Sequence, residues 1–146
     1  ARFLAGVRDY RGHDPRDGWR HAVAHGADLL MQLALNPLLD RVQLDRILEA
    51  VRAQATPGTH FYVFGEGERL ARPVVFVARR GLHSEAEWTA WLGQVALAGA
   101  PERGVPPQSA ALARAHNAKA LLLPLYVSLQ EGGDAAMRQR LLPGLS

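Results

Sequence analysis

The chain has no cysteine among its 146 residues and a single lysine, Lys119. Without thiols it forms no disulfides and no thiolate metal centre, so any metal would have to be held by His, Asp or Glu. The positive charge is therefore almost all arginine, scattered from Arg2 to Arg140 with no run that reads as a nucleic-acid arm. The net charge of +3 points only weakly to an anionic partner. Long hydrophobic runs are missing too. Leu121 to Leu125 is the most apolar stretch, far short of the roughly 20 residues that a membrane span needs. The N-terminus carries no apolar segment of the secretory kind, and the expected location is cytoplasmic. Gly65-Glu66-Gly67 is too short and too acidic to cradle a phosphate. Neither Ser84 nor Ser109 sits in a G-x-S-x-G elbow, which argues against a serine hydrolase.

What is present is a globular composition, 48% hydrophobic and 21% charged, on a length that suits one domain with a real core. Residues 1–146 read as a single all-helical domain. Arg2 to Val7 looks like the tail of a preceding helix, so the expectation is the C-terminal portion of a longer helical-repeat protein.

Helix signals follow one another along the chain. Asp14-Pro15 reads as a cap and first position, opening a helix that runs to about Asn36 before Pro37. Asp40 caps the next, whose stripe is Leu44, Ile47, Leu48, Val51 and Ala55. His60 to Phe64 reads as an apolar loop laid on the core. A helix then runs from Glu66 to about Arg80, stopped by Gly81. Ser84 and Glu87 match a capping box ahead of Trp88, Trp91, Leu92 and Val95. After a linker at 101–107, a long helix spans Ser109 to Gln130, with Leu112, Ala115, Asn117, Leu122, Leu125, Tyr126 and Leu129 expected inward. Asp134 caps a last short helix. Short connections between such helices imply antiparallel hairpins. Stacked side by side they give a right-handed array like the HEAT or armadillo repeats, with a closed helical bundle as the alternative.

The stretch GWRHAVAHGADLL, Gly18 to Leu30, carries the chemistry. His21, His25 and Asp28 stand at i, i+4 and i+7, and at roughly 100° per residue they fall within about 60° on one helix face. Trp19, Val23, Leu30, Leu33 and Ala34 fall on the other side. The polar stripe has no Lys or Glu, which is unusual for a solvent face and points to a covered or concave surface. Three readings stand. Two histidines one turn apart can hold a metal, but Ala22 occupies the place where a zinc hydrolase motif has its glutamate. They can form a hydrogen-bonded seam with Asp28, in a charge network completed by Asp9, Arg11 and Arg69. They can line a pocket for a small polar ligand or a peptide.

Asp9-Tyr10-Arg11-Gly12, Gly18-Trp19, His21-Ala22, Ala24-His25 and Ala27-Asp28-Leu29-Leu30 together resemble the D-x-R-G…GWxHAxAHxADLL signature of a bacterial family known only as a domain of unknown function. Glu68-Arg69-Leu70-Ala71 resembles its second block and Asn117 to Leu129 its third. In the third block the family commonly has an arginine before the Leu-Tyr pair, where this chain has Leu123-Pro124. The resemblance implies an all-helical, repeat-like fold and brings Glu68 and Arg69 toward the histidines. It implies no activity.

The expected site therefore comprises Asp9, Arg11, Trp19, His21, His25, Asp28, Glu68 and Arg69. The expected function is that of a binding or scaffold module for a protein, peptide or small polar ligand. The alternatives are a metal-dependent or acid–base enzyme using His21, His25 and Asp28, and a nucleic-acid-binding helical repeat. The sequence leaves any cofactor unknown and assigns no metal ligand set.

Overall fold

Side-chain caps fix where three helices of this chain begin. The computed structural model describes residues 1–100 and 108–146, and the expected linker at 101–107 lies outside them. The elements are α1 (Arg2–Ala5), a two-stranded hairpin of β1 (His13–Asp14) and β2 (Gly18–Trp19), then α2 (Ala22–Ala34), α3 (Arg41–Ala55), α4 (Glu66–Arg79), α5 (Glu85–Gly99), α6 (Ser109–Glu131) and α7 (Ala135–Leu141), with a closing 3-10 turn at Leu142–Leu145. Asp40 and Gln43 form a full capping box at α3, and Ser84 and Glu87 form one at α5. In each, the cap side chain and the N3 side chain satisfy one another's free backbone N–H. Asp134 caps α7 through the Met137 N–H. Gly81, at φ +68°, ends α4 in the left-handed region that glycine adopts without penalty. Residues 60–63 are irregular, as their apolar run without a partner strand implies.

The helix expected from Asp14 does not form. Asp14 does cap backbone donors, its Oδ1 accepting from the N–H groups of Arg16 and Asp17 at 2.8 and 3.0 Å, but it closes a turn. Gly18 then takes φ +72° and the chain folds back, pairing His13 with Trp19 and Asp14 with Gly18 in antiparallel register. The Arg20 N–H donates to the Gly12 carbonyl at 2.8 Å, extending the hairpin. α2 starts only at Ala22, with His21 at its N-cap.

A hydrophobic cluster runs through all the longer helices, from Leu30 of α2 and Val51 of α3 to Val74, Leu92, Leu125 and Leu141. The expected α3 stripe is buried in full. In α6 the phase differs from expectation. Ala113, Asn117, Leu121, Leu125 and Leu129 point inward, whereas Leu112 and Tyr126 are exposed.

α4 is the central helix, packed chiefly against α2 on one side and α6 on the other. α2 and α4 run parallel. Glu66 at the start of α4 faces His21 at the start of α2. At the far end the Arg80 guanidinium donates to the carbonyls of Asn36, Pro37 and Leu39 beyond the end of α2, at 2.8, 3.1 and 3.0 Å. α4 and α6 approach closely because residue 67 is glycine. A Cβ there would collide with the backbone of Ala120.

Two buried amides hold the irregular segments. Gln54 of α3 donates to the carbonyls of Leu4 and Val7, at 2.9 and 3.1 Å, and so ties down the end of α1. Asn117 of α6 accepts the Tyr62 N–H at 2.8 Å and donates to the carbonyls of Pro57 and His60. Buried amides with every group paired are the usual way to fix a loop on a core.

Candidate functional site

The hairpin delivers Trp19 and His21 to the α2–α4 seam. His21 closes the first turn of α2, its carbonyl accepting the His25 N–H at 2.9 Å, so the two histidines keep their one-turn spacing. Their rings lie 6.3 Å apart, edge to face. His25 is exposed, while the His21 side chain is only 12% exposed. The Trp19 ring lies 4.8 Å from the His21 ring, and Phe64 lies 6.0 Å from both. Gly12 makes room for Phe64, because a Cβ at Gly12 would fall within that ring.

Beneath these aromatics lies a buried carboxylate. Glu66 is the first residue of α4 and its side chain is 3% exposed. Its Oε2 accepts the Phe64 N–H at 2.8 Å, and its Oε1 lies 3.6 Å from His21 Nε2. That separation exceeds hydrogen-bond range. His21 Nε2 is buried and has no hydrogen-bond partner among the described residues.

Asp28 is engaged elsewhere. Arg69 of α4 reaches across to it with Nε on Oδ1, at 2.7 Å, and Nη2 on Oδ2. The pair holds the guanidinium pKa above its ordinary value, first through these hydrogen bonds. Both side chains are about a third exposed. Asp28 therefore orients neither histidine ring. A bidentate fork of this kind locks both partners geometrically.

The remaining expected residues fall outside this cluster. Asp9 and Arg11 form a local pair two residues apart, with both side chains about half exposed. Hydrogen bonds from the Arg11 side chain and N–H lower the Asp9 pKa to about 2. They do not join Arg69 in a buried network. Glu68 pairs along its own helix with Arg72, at 2.7 Å, and is well exposed. The carboxylate beside the histidines is Glu66, two residues earlier. Trp19, expected on the apolar side of a helix, is instead in the hairpin and 59% exposed. Among the described residues no three His, Asp or Glu side chains converge as a metal ligand set. Likewise, no helix among them is long and apolar enough to cross a membrane.

The class these features define is a mostly helical chain with a polar and aromatic cluster at the start of two parallel helices. Residues 1–127 match the family described as protein of unknown function (DUF2785), and the chain belongs to that family. The match spans α1 through most of α6 and so contains the whole cluster. No curated protein and no solved structure matches the chain.

Proposed function

We propose that the chain is a recognition module that binds a protein or peptide segment at the start of α2 and α4. The observation that carries this reading is His21. Its Nε2 is enclosed, lacks a hydrogen-bond partner among the described residues, and lies under Trp19 and Phe64, which are 59% and 40% exposed. An unsatisfied buried nitrogen is costly. Exposed aromatics beside it are the residue types that anchor binding interfaces. The partner lays an apolar group over Trp19 and Phe64 and offers a hydrogen-bonding group to His21.

The helix arrangement favours the same reading. α4 packs against both α2 and α6, with α3 and α5 between them in the chain, and we read the three as one layer. Alternate helices stacked in parallel are the pattern of a HEAT-like or armadillo-like array, and in an up-and-down bundle they would sit on a diagonal. We read residues 1–146 as one such unit. Nucleic acid is disfavoured at this cluster, because its guanidinium, Arg69, is already matched by Asp28.

A second reading is acid–base catalysis by His21 and Glu66, supported by the burial of that carboxylate beside the ring. The metal-dependent form of the enzyme reading lacks a third ligand among the described residues. Selection from a random peptide library, with Trp19→Ala and His21→Ala as counter-screens, tests the proposal. Peptides whose affinity falls at least about tenfold in both variants are expected. Recovery of only those peptides that bind wild type and both variants equally would overturn it.

A further inference from the structure

A second polar site lies on the other side of the molecule, between α3 and the start of α5. Arg41, Asp45, Glu49, His83, Glu87 and Trp91 are among the residues that line a cavity of about 310 Å³ there. Trp88 forms its floor, with the Trp91 ring at 6.2 Å and nearly perpendicular to it, and the His83 ring at 5.2 Å. None of these residues contacts the His21 cluster.

Three buried groups here lack a partner among the described residues, the indole N–H groups of Trp88 and Trp91 and one ring nitrogen of His83. His83 is 6% exposed, and its Nε2 lies 2.7 Å from Asp45 Oδ1. A carboxylate accepts, so Nε2 carries the hydrogen, and in the neutral ring Nδ1 keeps its lone pair. That Nδ1 is buried and has no partner among the described residues. The rim carries three carboxylates, Asp45, Glu49 and Glu87, against one guanidinium, Arg41. Arg41 is already engaged by Glu87 and the Leu82 carbonyl, and Glu49 by Arg52. Counting Arg52 with Arg41, one negative charge remains in excess. Asp45 Oδ2 lies 3.8 Å from Arg41 Nε, too far for a hydrogen bond.

We infer that this cavity binds a small organic ammonium ion bearing at least one N–H. The cation would sit against the partly exposed Trp91 ring, whose face attracts positive charge. Its N–H would donate to His83 Nδ1, and Asp45 would balance its charge. An anion meets the carboxylate rim, and a neutral ligand leaves the charge excess uncompensated.

The test uses the Trp19→Phe variant, in which Trp88 and Trp91 are the only tryptophans left to report by fluorescence. Benzylammonium is titrated beside benzyltrimethylammonium, benzyl alcohol and benzoate. A saturable change with benzylammonium is expected, with a Kd of about 1 mM or tighter. Benzyltrimethylammonium, which has no N–H, is expected to bind at least about tenfold more weakly. Asp45→Asn should weaken benzylammonium by about tenfold with helical circular dichroism unchanged. If that variant does not fold, Glu49→Gln on the exposed rim takes its place, with a smaller loss in the same direction. The inference is overturned if benzylammonium does not saturate, if benzoate, benzyl alcohol or the trimethyl ion binds as tightly, or if the folded carboxylate variant binds as wild type does.

Discussion

Asp28 of α2 and Arg69 of α4 meet as a two-point fork, each guanidinium nitrogen on its own carboxylate oxygen. The pair joins parallel helices about 40 residues apart in sequence. It also removes Asp28 from any part in orienting His21 or His25. A double-mutant cycle with Asp28→Asn and Arg69→Gln should give a coupling of about 1–2 kcal/mol in chemical denaturation, as expected for a half-buried bidentate pair. A coupling indistinguishable from zero would show that the fork contributes nothing.

Asn117 is the second test of the fold. Its amide makes three hydrogen bonds to the 57–62 segment, the one from the Tyr62 N–H fully buried. Asn117→Leu should cost about 2–4 kcal/mol, because one N–H and two carbonyls lose their partner. Hydrogen exchange at Tyr62 should accelerate more than at core amides of α3. Uniform acceleration would mean that the loss is global and Asn117 does not anchor the segment.

Acid should weaken the α3–α5 side of the molecule. Hydrogen bonds from Arg41, then from the Ser84 N–H and hydroxyl, lower the Glu87 pKa from 4.5 to about 2. Because the folded value is depressed, this stabilisation is fully present above pH 4.5 and is lost as the pH falls toward about 2. Glu87→Gln keeps the cap geometry and removes the titration. Its urea midpoint should change less with pH across that window than the wild-type midpoint does. Parallel curves would exclude Glu87 as a source of the acid sensitivity.

Gly12 tests the aromatic lid. Gly12→Ala places a methyl group inside the Phe64 ring position and forces that ring to move. A loss of about 1–3 kcal/mol is expected from overpacking. The ring resonances of His21 should shift in the same variant, since Phe64 lies against it. Unchanged His21 resonances would show that the lid and the histidine are independent.

Much of the helical framework could be read from caps and stripes. Asp40, Ser84 and Asp134 announce their helices by side-chain chemistry that needs no tertiary context, and Gly81 announces a stop. The hairpin at 13–19 was illegible because an aspartate closing a turn and one capping a helix present the same sequence. Only the left-handed φ of Gly18 separates them. The phase of α6 was obscured for a different reason. α5 and α6 meet where Gly99 faces Ala118, so the inward positions at that end are small and the more apolar Leu112 misleads. At the site, spacing put His21, His25 and Asp28 on one helix face, and the structure sets the first two rings 6.3 Å apart. Spacing gave no sign that Arg69 would claim Asp28. Nor did it separate Glu66 from Glu68, since burial comes from the Phe64 N–H and the neighbouring aromatics. His83 carried no pattern of its own, because its partner Asp45 lies 38 residues away.

Gly67 stands directly after Glu66 and rests on the Ala120 backbone of α6. The gap between His21 and Glu66 is thus gauged from the opposite flank of α4. Any residue larger than glycine at 67 would push α4 away from α6 and toward α2, closing the space around His21 without touching a single residue of the cluster. The geometry of the candidate site is in this sense borrowed from a contact it does not contain.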